Sequence, residues 1–365
     1  MRTLVPPVLV MSLLACDQEY TELNLETKIQ EFDQAPSNKV DILWVIDDST
    51  SMNEEQLAVK AAGVDFIAQL ESAEMDFHLG LVTTDGDSTN SKASILLGSP
   101  AVLTNECVAD GTVCTYSEDF IDRVVQGTGG SDQEKGLEVA LNAVRPPLSE
   151  THNDGFVRDG ALLMIIQLSD ENDCSDSGRL GPTATGEDCY SRYSELTPVG
   201  DLVGALRDAK AELGEGEVVM SGIIGPDVSE NCQTAVPGKR YRDAFRMLGG
   251  VEADICLQDY SPVMQSLGLA ATGITSNFQL DYAARYESDQ ADTTELDESK
   301  YNPKVWVTEV DSEKTAIAEN AETGWTYMED YAQIQFNGDS VPGRGARITV
   351  EFYSNGPVPD PPSES

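Results

Sequence analysis

Residues 41–51 of the chain read DILWVIDDSTS and decide the fold that the sequence predicts. The apolar run from Asp41 to Asp47 has the composition of a strand buried on both faces in a parallel sheet. In the segment that follows, Asn53 to Leu70, apolar residues recur at helical spacing. A buried strand that leads directly into such a helix is typical of a repeated strand–helix pattern with parallel crossovers.

The same alternation of strand and helix continues to about residue 275. Further strands are predicted where apolar runs are short, at 75–83, 161–168 and 218–224. Helices are predicted where apolar residues recur every three or four positions, at 132–144, 198–213, 241–248 and 261–268. Short extended pieces are expected at 91–103 and a helical turn at 120–125. Residues 39–275 are therefore predicted to form an α/β domain with a doubly wound, mostly parallel sheet.

The pattern changes near residue 276, where the elements become short, strand-like and separated by turns. The predicted strands lie at 278–282, 304–310, 325–328, 333–336 and 346–353, and an acidic stretch at 287–299 separates the first two. We expect a small antiparallel β module at 276–355. The Pro- and Ser-rich residues 356–365 are expected to be a disordered tail.

The N-terminus has the features of an export signal. Arg2 supplies a positive start, and the apolar segment Leu4 to Leu14 is too short to span a bilayer as a helix. Leu13-Leu14-Ala15-Cys16 resembles a bacterial lipobox, in which cleavage precedes a cysteine that then carries lipid. The alternative is an ordinary signal peptide followed by a chance cysteine. The prediction is a lipoprotein signal peptide at 1–15, a lipid anchor on Cys16 and a polar tether at 16–38.

Such a protein would be exported and anchored by its lipid to the bacterial cell envelope, at the outer membrane or the cell surface. The cysteine count agrees with export, since six of the seven cysteines remain after Cys16. Six cysteines allow 15 pairings, and short loops favour pairing between neighbours in an oxidising compartment. The candidate disulfides are Cys107 with Cys114, Cys174 with Cys189 and Cys232 with Cys256. A cysteine metal site has little support, because no Cys-x-x-Cys occurs and the chain has two histidines.

The net charge of the chain limits the classes of partner that it can bind. The chain has 64 acidic and 23 basic residues and a net charge of −41. This charge argues against nucleic-acid binding, which needs a cationic surface, and against adhesion to bare anionic lipid. Two interpretations remain open for the acidity, namely cation binding and solubility in a saline habitat.

Asp47, Ser49 and Ser51 stand at alternate positions in the loop after the first strand. Open α/β sheets bind ligands at the carboxyl ends of their strands. One carboxylate and two hydroxyls at this spacing can converge on a hard cation such as Mg²⁺ or Ca²⁺. The pattern alone is only moderately specific, because such residues are also common in solvated loops, and Ser51 could be a helix N-cap.

A hydrophobic strand ending in Asp-x-Ser-x-Ser resembles the von Willebrand factor A domain and its metal-ion-dependent adhesion site. In that family a hydroxyl residue after a glycine-rich turn and an aspartate after the fourth strand complete the site. Gly127-Thr128-Gly129-Gly130-Ser131 and Ile166-Gln167-Leu168-Ser169-Asp170 stand in the corresponding places. The resemblance covers about residues 39–275. It is closer to secreted A-domain lipoproteins of the myxobacterial type, whose function is largely unassigned, on Gly155-Phe156-Val157-Arg158 and Ser169-Asp170-Glu171-Asn172-Asp173-Cys174-Ser175.

The resemblance implies a binding mechanism. Asp47, Ser49 and Ser51 would hold Mg²⁺ or Ca²⁺, with Mn²⁺ also possible, Ser131 would contact the ion directly or through water, and Asp170 would act through water. A partner protein would fill the open position with an Asp or Glu carboxylate, to which the ion presents the dominant positive charge. Thr50, Ser131 and Glu171 depart from the family's usual glycine, threonine and glycine, which bears on affinity and metal preference.

Three functions compete. The first is metal-dependent protein binding or adhesion at the cell surface. The second is a structural or assembly lipoprotein of the envelope that uses the ion only for stability. The third, an enzyme whose metal activates water, has the least support, because the chain contains no His-Glu-x-x-His, Walker loop or Gly-x-Ser-x-Gly. We expect a binding protein and no catalytic residues.

Overall fold

The computed structural model describes residues 26–34, 37–86, 92–107, 113–181, 183–214, 216–227, 235–274, 276–286, 302–329 and 332–357. The predicted signal peptide, Cys16 and the acidic stretch 287–299 lie outside them. The helices are α1 (Asn53–Ser72), α2 (Tyr116–Arg123), α3 (Gly136–Val144), α4 (Gly186–Ser191), α5 (Val199–Leu213), α6 (Lys239–Leu248) and α7 (Ser261–Ala271). The strands are β1 (Thr27–Asp33), β2 (Lys39–Ile46), β3 (Asp76–Thr83), β4 (Leu103–Thr104), β5 (Leu162–Ser169), β6 (Val218–Ile224), β7 (Glu252–Asp254), β8 (Asn277–Gln279), β9 (Tyr282–Ala284), β10 (Lys304–Thr308), β11 (Thr315–Ile317), β12 (Trp325–Met328), β13 (Gln333–Phe336) and β14 (Arg347–Pro357).

Within the described residues, six strands form one sheet in the order β4-β3-β2-β5-β6-β7. Its pairings are parallel except for the short edge strand β4, which is antiparallel to β3. The next strand in the chain after β2 pairs on one side of it, and β5 pairs on the other side. The carboxyl end of β2 is therefore the place where the strand order reverses.

The central strands are buried because their side chains pack into two hydrophobic cores, one on each face of the sheet. Along β2, Trp44 packs in one core while Leu43 and Val45 pack in the other, as strand geometry requires. Helices α1, α2 and α7 contribute to the first core, and α3, α5 and α6 to the second. The prediction of a mixed α/β fold with a mostly parallel sheet is confirmed.

The predicted helix at 132–144 begins later, at Gly136. The preceding residues bond to the sheet instead of entering the helix. The Lys135 N–H donates to the Thr84 carbonyl oxygen at 3.0 Å, and the Glu134 carbonyl oxygen accepts from the Cys174 N–H at 2.6 Å. Hydrophobic periodicity could not reveal this, because the competing bonds come from residues distant in sequence.

The prediction of a tether at 16–38 is wrong for residues 27–33. They form β1, which pairs antiparallel with β14 from Thr27↔Tyr353 to Asp33↔Arg347. Phe32 packs against Phe278, with ring centroids 5.3 Å apart. Hydrophobic periodicity does not predict this strand, because both its faces are largely polar and its pairing partner lies at the other end of the chain. The predicted tail also starts too early, since β14 runs to Pro357.

The other strands form antiparallel sheets. One has the order β1-β14-β10-β11, with β9 also paired to β14, and the other has the order β12-β13-β8. Both supply a common core that includes Phe278, Ile334, Ile348 and Val350. The predicted C-terminal antiparallel module is thus present, completed by an N-terminal strand. No helix among the described residues has the length and apolar character needed to cross a membrane.

Two of the predicted disulfides are present, Cys107 with Cys114 and Cys174 with Cys189. Cys256 is disulfide-bonded as well. Its predicted partner, Cys232, lies outside the described residues, so that pairing stays a prediction.

Candidate metal site at the carboxyl end of β2

Asp47 directly follows β2 and is fully buried. Its N–H donates to the Leu168 carbonyl oxygen at 2.9 Å, which continues the pairing with β5. Its two carboxylate oxygens accept from different segments: Oδ1 from the Ser49 N–H at 2.8 Å, in the loop after β2, and Oδ2 from the Ser169 hydroxyl at 2.6 Å, at the end of β5. The carboxylate is therefore held between the loop after β2 and the last residue of β5.

A chain of hydrogen bonds joins four of the five predicted ligands. The Ser49 and Ser51 hydroxyl oxygens lie 3.2 Å apart, and the Ser51 hydroxyl donates to Oδ1 of Asp170 at 3.1 Å. Ser49 and Asp170 are buried, whereas Ser51 is exposed, so the cluster reaches the surface on the Ser51 side. The tertiary structure brings these side chains together; their coordination of an ion stays a prediction.

Ser131 is placed differently. The preceding residue, Gly130, donates its N–H to the Asp48 carbonyl oxygen at 2.8 Å, so the second loop lies against the first. A Cβ at Gly130 would collide with the Asp48 carboxylate, which explains the glycine. Ser131 itself is partly exposed, and its hydroxyl accepts from the Gln133 N–H at 3.1 Å within its own turn.

Gln56 in α1 organises these loops and was not predicted from the sequence. Its buried amide donates to the carbonyl oxygens of Asp47 at 2.7 Å and Gly127 at 2.9 Å. Its Oε1 accepts from the N–H groups of Gln126 at 2.9 Å and Gly127 at 3.1 Å. A glutamine on a helix surface carries no such signal in sequence, because the partners meet it only in the folded chain.

The cluster is a concentration of negative charge without a counter-charge. Burial raises the pKa of Asp47 to about 6. Burial, followed by the charge of Asp47, raises the pKa of Asp170 to about 6 and that of Glu171 to about 7. Asp48, half-buried, has its pKa raised to about 6 by burial and then by the charge of Asp85. None of the ion pairs found in the described part of the chain involves Asp47, Asp48, Asp170 or Glu171.

Glu134 adds a further buried carboxylate that sequence reasoning missed. Its side chain is 1% exposed, and neither oxygen makes a hydrogen bond of ordinary geometry with the described residues. Burial, and then the charge of Asp47, raises its pKa well above the ordinary value, against the opposing effect of the Thr84 side chain. One carboxylate oxygen of Asp48 is also buried and unpartnered. Native proteins rarely leave such groups unpaired, so these oxygens require an explanation.

Asp173, which follows Asp170 by three residues in the loop after β5, has a different role. It is buried, pairs with the Arg240 guanidinium at 2.9 Å and accepts from the Leu137 N–H at 3.0 Å. It therefore fixes the start of α3 and is neither solvated nor free to bind an ion.

The donor set fits a hard divalent cation. The groups that converge are carboxylate and hydroxyl oxygens, the ligands that Mg²⁺, Ca²⁺ and Mn²⁺ prefer. The positive charge of an ion would also offset the repulsion among the buried carboxylates. No three His, Cys, Asp or Glu side chains in the described ranges are grouped so as to hold an ion by themselves. Hydroxyl ligands would have to contribute.

Comparisons with known proteins add little. No protein-family model matches the chain, and no curated protein matches it. Among solved structures, it is similar to the pilus adhesin SpaC from Lactobacillus rhamnosus GG, with 13% identity, 90% of this chain and 40% of that chain covered, and a TM-score of 0.39. It is also similar to the pilus adhesin RrgA from Streptococcus pneumoniae, with 9% identity, 92% of this chain and 58% of that chain covered, and a TM-score of 0.33. For proximal thread matrix protein 1 from the mussel byssus, the identity is 16%, the match covers 70% of this chain and 51% of that chain, and the TM-score is 0.33.

The chain thus spans roughly half the length of the structures it resembles, between 40% and 58%. Two of the three are pilus adhesins by name. TM-scores this low carry no argument about the fold or the function of this chain.

Proposed function

We propose that the chain is a lipid-anchored envelope protein whose α/β domain binds a divalent cation and uses it to bind an acidic side chain of a partner protein. One observation carries the proposal. Asp47, Ser49, Ser51 and Asp170 form a hydrogen-bonded cluster at the carboxyl end of β2, with buried carboxylates and no basic partner among the residues that the structure describes.

The sheet order supports a domain of the von Willebrand factor A type. If the six strands of this sheet, β2 to β7, are numbered 1 to 6 in chain order, their order across the sheet is 3-2-1-4-5-6. Helices cover both faces, as in doubly wound folds. In such folds ligands bind outside the strand ends where the order reverses. Asp47 directly follows β2 and therefore lies at that point, between the ends of β3 and β5.

In the proposed site, Asp47, Ser49 and Ser51 hold the ion and Asp170 acts through water; the family resemblance assigns the contact from the loop after Gly130 to Ser131, directly or through water. When bound, the ion supplies a positive centre with an open position for a carboxylate oxygen of the partner. Ser169 and Gln56 keep Asp47 and the two loops in place. With a net charge of −41, the chain would otherwise repel an acidic partner.

A structural role is the second candidate, and the burial of the carboxylates favours it. An ion that offsets their repulsion would stabilise the fold whether or not a partner binds. Catalysis is not proposed.

Asp47→Ala separates these functions, with Glu54→Ala, an exposed acid in the first turn of α1, as the control. Calorimetry with Mg²⁺, Ca²⁺ and Mn²⁺ should show binding by wild type and the control and none by Asp47→Ala. Pull-down from native envelope should lose its captured partners with chelator and with the variant, while circular dichroism stays unchanged. Unchanged capture by Asp47→Ala would reject the adhesive mechanism. A lower melting temperature in chelator with the same captured partners would select the structural role.

The anchor is tested separately. Cys16→Ala should move the protein from the membrane fraction to the soluble fraction, and intact-mass analysis of wild type should show the added lipid. A membrane-bound Cys16→Ala protein would contradict this part of the proposal.

A further inference from the structure

The segment after Ser131 crosses the end of the sheet at a defined place. The Lys135 N–H bonds to the Thr84 carbonyl oxygen, directly after β3, and the Glu134 carbonyl oxygen accepts from Cys174, in the loop after β5. Because β2 lies between β3 and β5, these bonds hold the Glu134 backbone across the end of β2, the strand that Asp47 directly follows.

The Glu134 side chain forms no ion pair with the described residues. It is 1% exposed, and both carboxylate oxygens are buried without a hydrogen bond of ordinary geometry there, the nearby Thr84 side chain being the one group that favours its charged form. The neighbouring cation, Lys135, pairs at 2.8 Å with Asp176 instead. Burying an unpaired carboxylate is costly, and the cost is relieved either by protonation or by a group that supplies positive charge beside it. Among the neighbouring charges, that of Asp47 acts most strongly on Glu134, as expected if the two carboxylates face the same region at the end of β2.

The Ser131 hydroxyl is already engaged within its own turn, because its oxygen accepts the Gln133 N–H at 3.1 Å. The family resemblance selected it by its residue type and its position after the glycines. In the folded chain Gln133, Glu134 and Lys135 of this loop are buried, and Glu134 is the only carboxylate among these three.

We propose that Glu134, rather than Ser131, is the ligand that the second loop contributes to the divalent-cation site. This inference rests on the proposed function, because it assumes an ion at Asp47. Asp47 and Glu134 would then be the two direct carboxylate ligands, with the Ser49 and Ser51 hydroxyls, while Asp170 acts through water.

Replacing a hydroxyl ligand by a carboxylate has two consequences. The second negative charge increases the affinity for the ion, and a glutamate that can bind through both oxygens favours Ca²⁺, which accepts bidentate carboxylates and high coordination numbers. It also leaves less positive charge for a partner's carboxylate, so that tight ion binding and acidic recognition oppose each other at this site.

The test is calorimetric titration of the full chain with Ca²⁺ and Mn²⁺, comparing wild type, Glu134→Gln and Ser131→Ala. Glu134→Gln keeps the shape of the side chain and removes its charge. We expect it to weaken ion binding by about 100-fold or more, since even groups that only support a ligand contribute about 10- to 100-fold. Ser131→Ala should change the affinity by less than about threefold. In chelator, Glu134→Gln should melt at or above the wild-type temperature, because it removes a buried, repelled carboxylate.

Wild-type affinity in Glu134→Gln, or an equal or larger loss in Ser131→Ala, would overturn the inference. If wild type binds, Asp47→Ala does not and Glu134→Gln does, the proposed function stands and only this inference fails. No binding by wild type would reject both. Should Glu134→Gln not fold, a crystal structure of the Ca²⁺-loaded wild type decides. A Glu134 oxygen at about 2.3–2.6 Å from the ion supports the inference, and a Ser131 oxygen there, with Glu134 remote, rejects it.

Discussion

In chelator, the protein should become less stable as the pH rises from 5 to 7.5. Burial raises the pKa of Asp47 from 3.8 to about 6, so the folded chain binds this proton more tightly than the unfolded chain does. The resulting stabilisation is fully present below pH 3.8, and it is lost as the pH rises through about 6. Asp48 and Asp170, with pKa values raised to about 6, act in the same direction.

The magnitude follows from the shift of Asp47. One pKa unit corresponds to about 1.4 kcal/mol, so the whole shift is worth roughly 3 kcal/mol. Only about one pH unit of the interval from 5 to 7.5 lies below the folded-state pKa of Asp47. The free energy of unfolding should therefore fall by about 1.4 kcal/mol from this residue, and by more if the other carboxylates contribute.

The assay is chemical unfolding at pH 5 and pH 7.5, followed by tryptophan fluorescence, because Trp44 is fully buried in β2. Wild type and Asp47→Asn are compared in chelator and in millimolar Mg²⁺. Asp47→Asn should lose about 1.4 kcal/mol of the pH dependence. In Mg²⁺ the wild type should lose less stability at pH 7.5, since the ion binds the ionised carboxylates of the folded state.

Equal or higher stability of the wild type at pH 7.5 in chelator would refute this reasoning. So would a pH dependence in Asp47→Asn that matches the wild type, because Asp47 could then not be the residue that titrates.

Three further predictions concern the scaffold. Arg158→Met should lower the free energy of unfolding by about 3 kcal/mol or more in chemical denaturation, because it strips the counter-charge from Asp41, which is fully buried and lies 2.7 Å from the Arg158 guanidinium. Replacing Cys174 and Cys189 by alanine should cost about 3 kcal/mol in the same assay, as expected for a loop of sequence separation 15. Replacing residues 27–33 by a Gly/Ser segment of equal length should accelerate amide hydrogen exchange in β14 by about tenfold or more, measured by mass spectrometry, because those residues occupy its edge.

Each has a matched control. Lys60→Met breaks an exposed ion pair with Asp122 and should change the stability by less than about 0.5 kcal/mol; a loss equal to that of Arg158→Met would contradict the role of burial. Opening the shorter loop between Cys107 and Cys114 should cost about 0.6 kcal/mol less than opening the longer one. Unchanged exchange in β14 would show that residues 27–33 are a tether after all.

Much of the α/β domain could be predicted from the sequence, because its strands and helices carry their own periodicity. The apolar runs of β2, β5 and β6 have no alternative to burial, and the structure places all three within two residues of the prediction. The antiparallel module was visible for the same reason. By contrast, β1 was missed, because a strand with two largely polar faces has no local signal and is stabilised by a partner more than 300 residues away.

The candidate site also has features that the sequence predicts and features that only the folded chain shows. The order of residue types, Asp47-x-Ser49-x-Ser51 followed far downstream by Asp170, is written in the chain and sufficed to predict which loops meet at the end of β2. Only the tertiary structure decided that Gln56 joins two of those loops and that Glu134 is buried there without a hydrogen bond of ordinary geometry to the described residues. Hydrogen-bond partners and desolvation depend on what surrounds a side chain after folding, and neighbouring sequence does not contain that information.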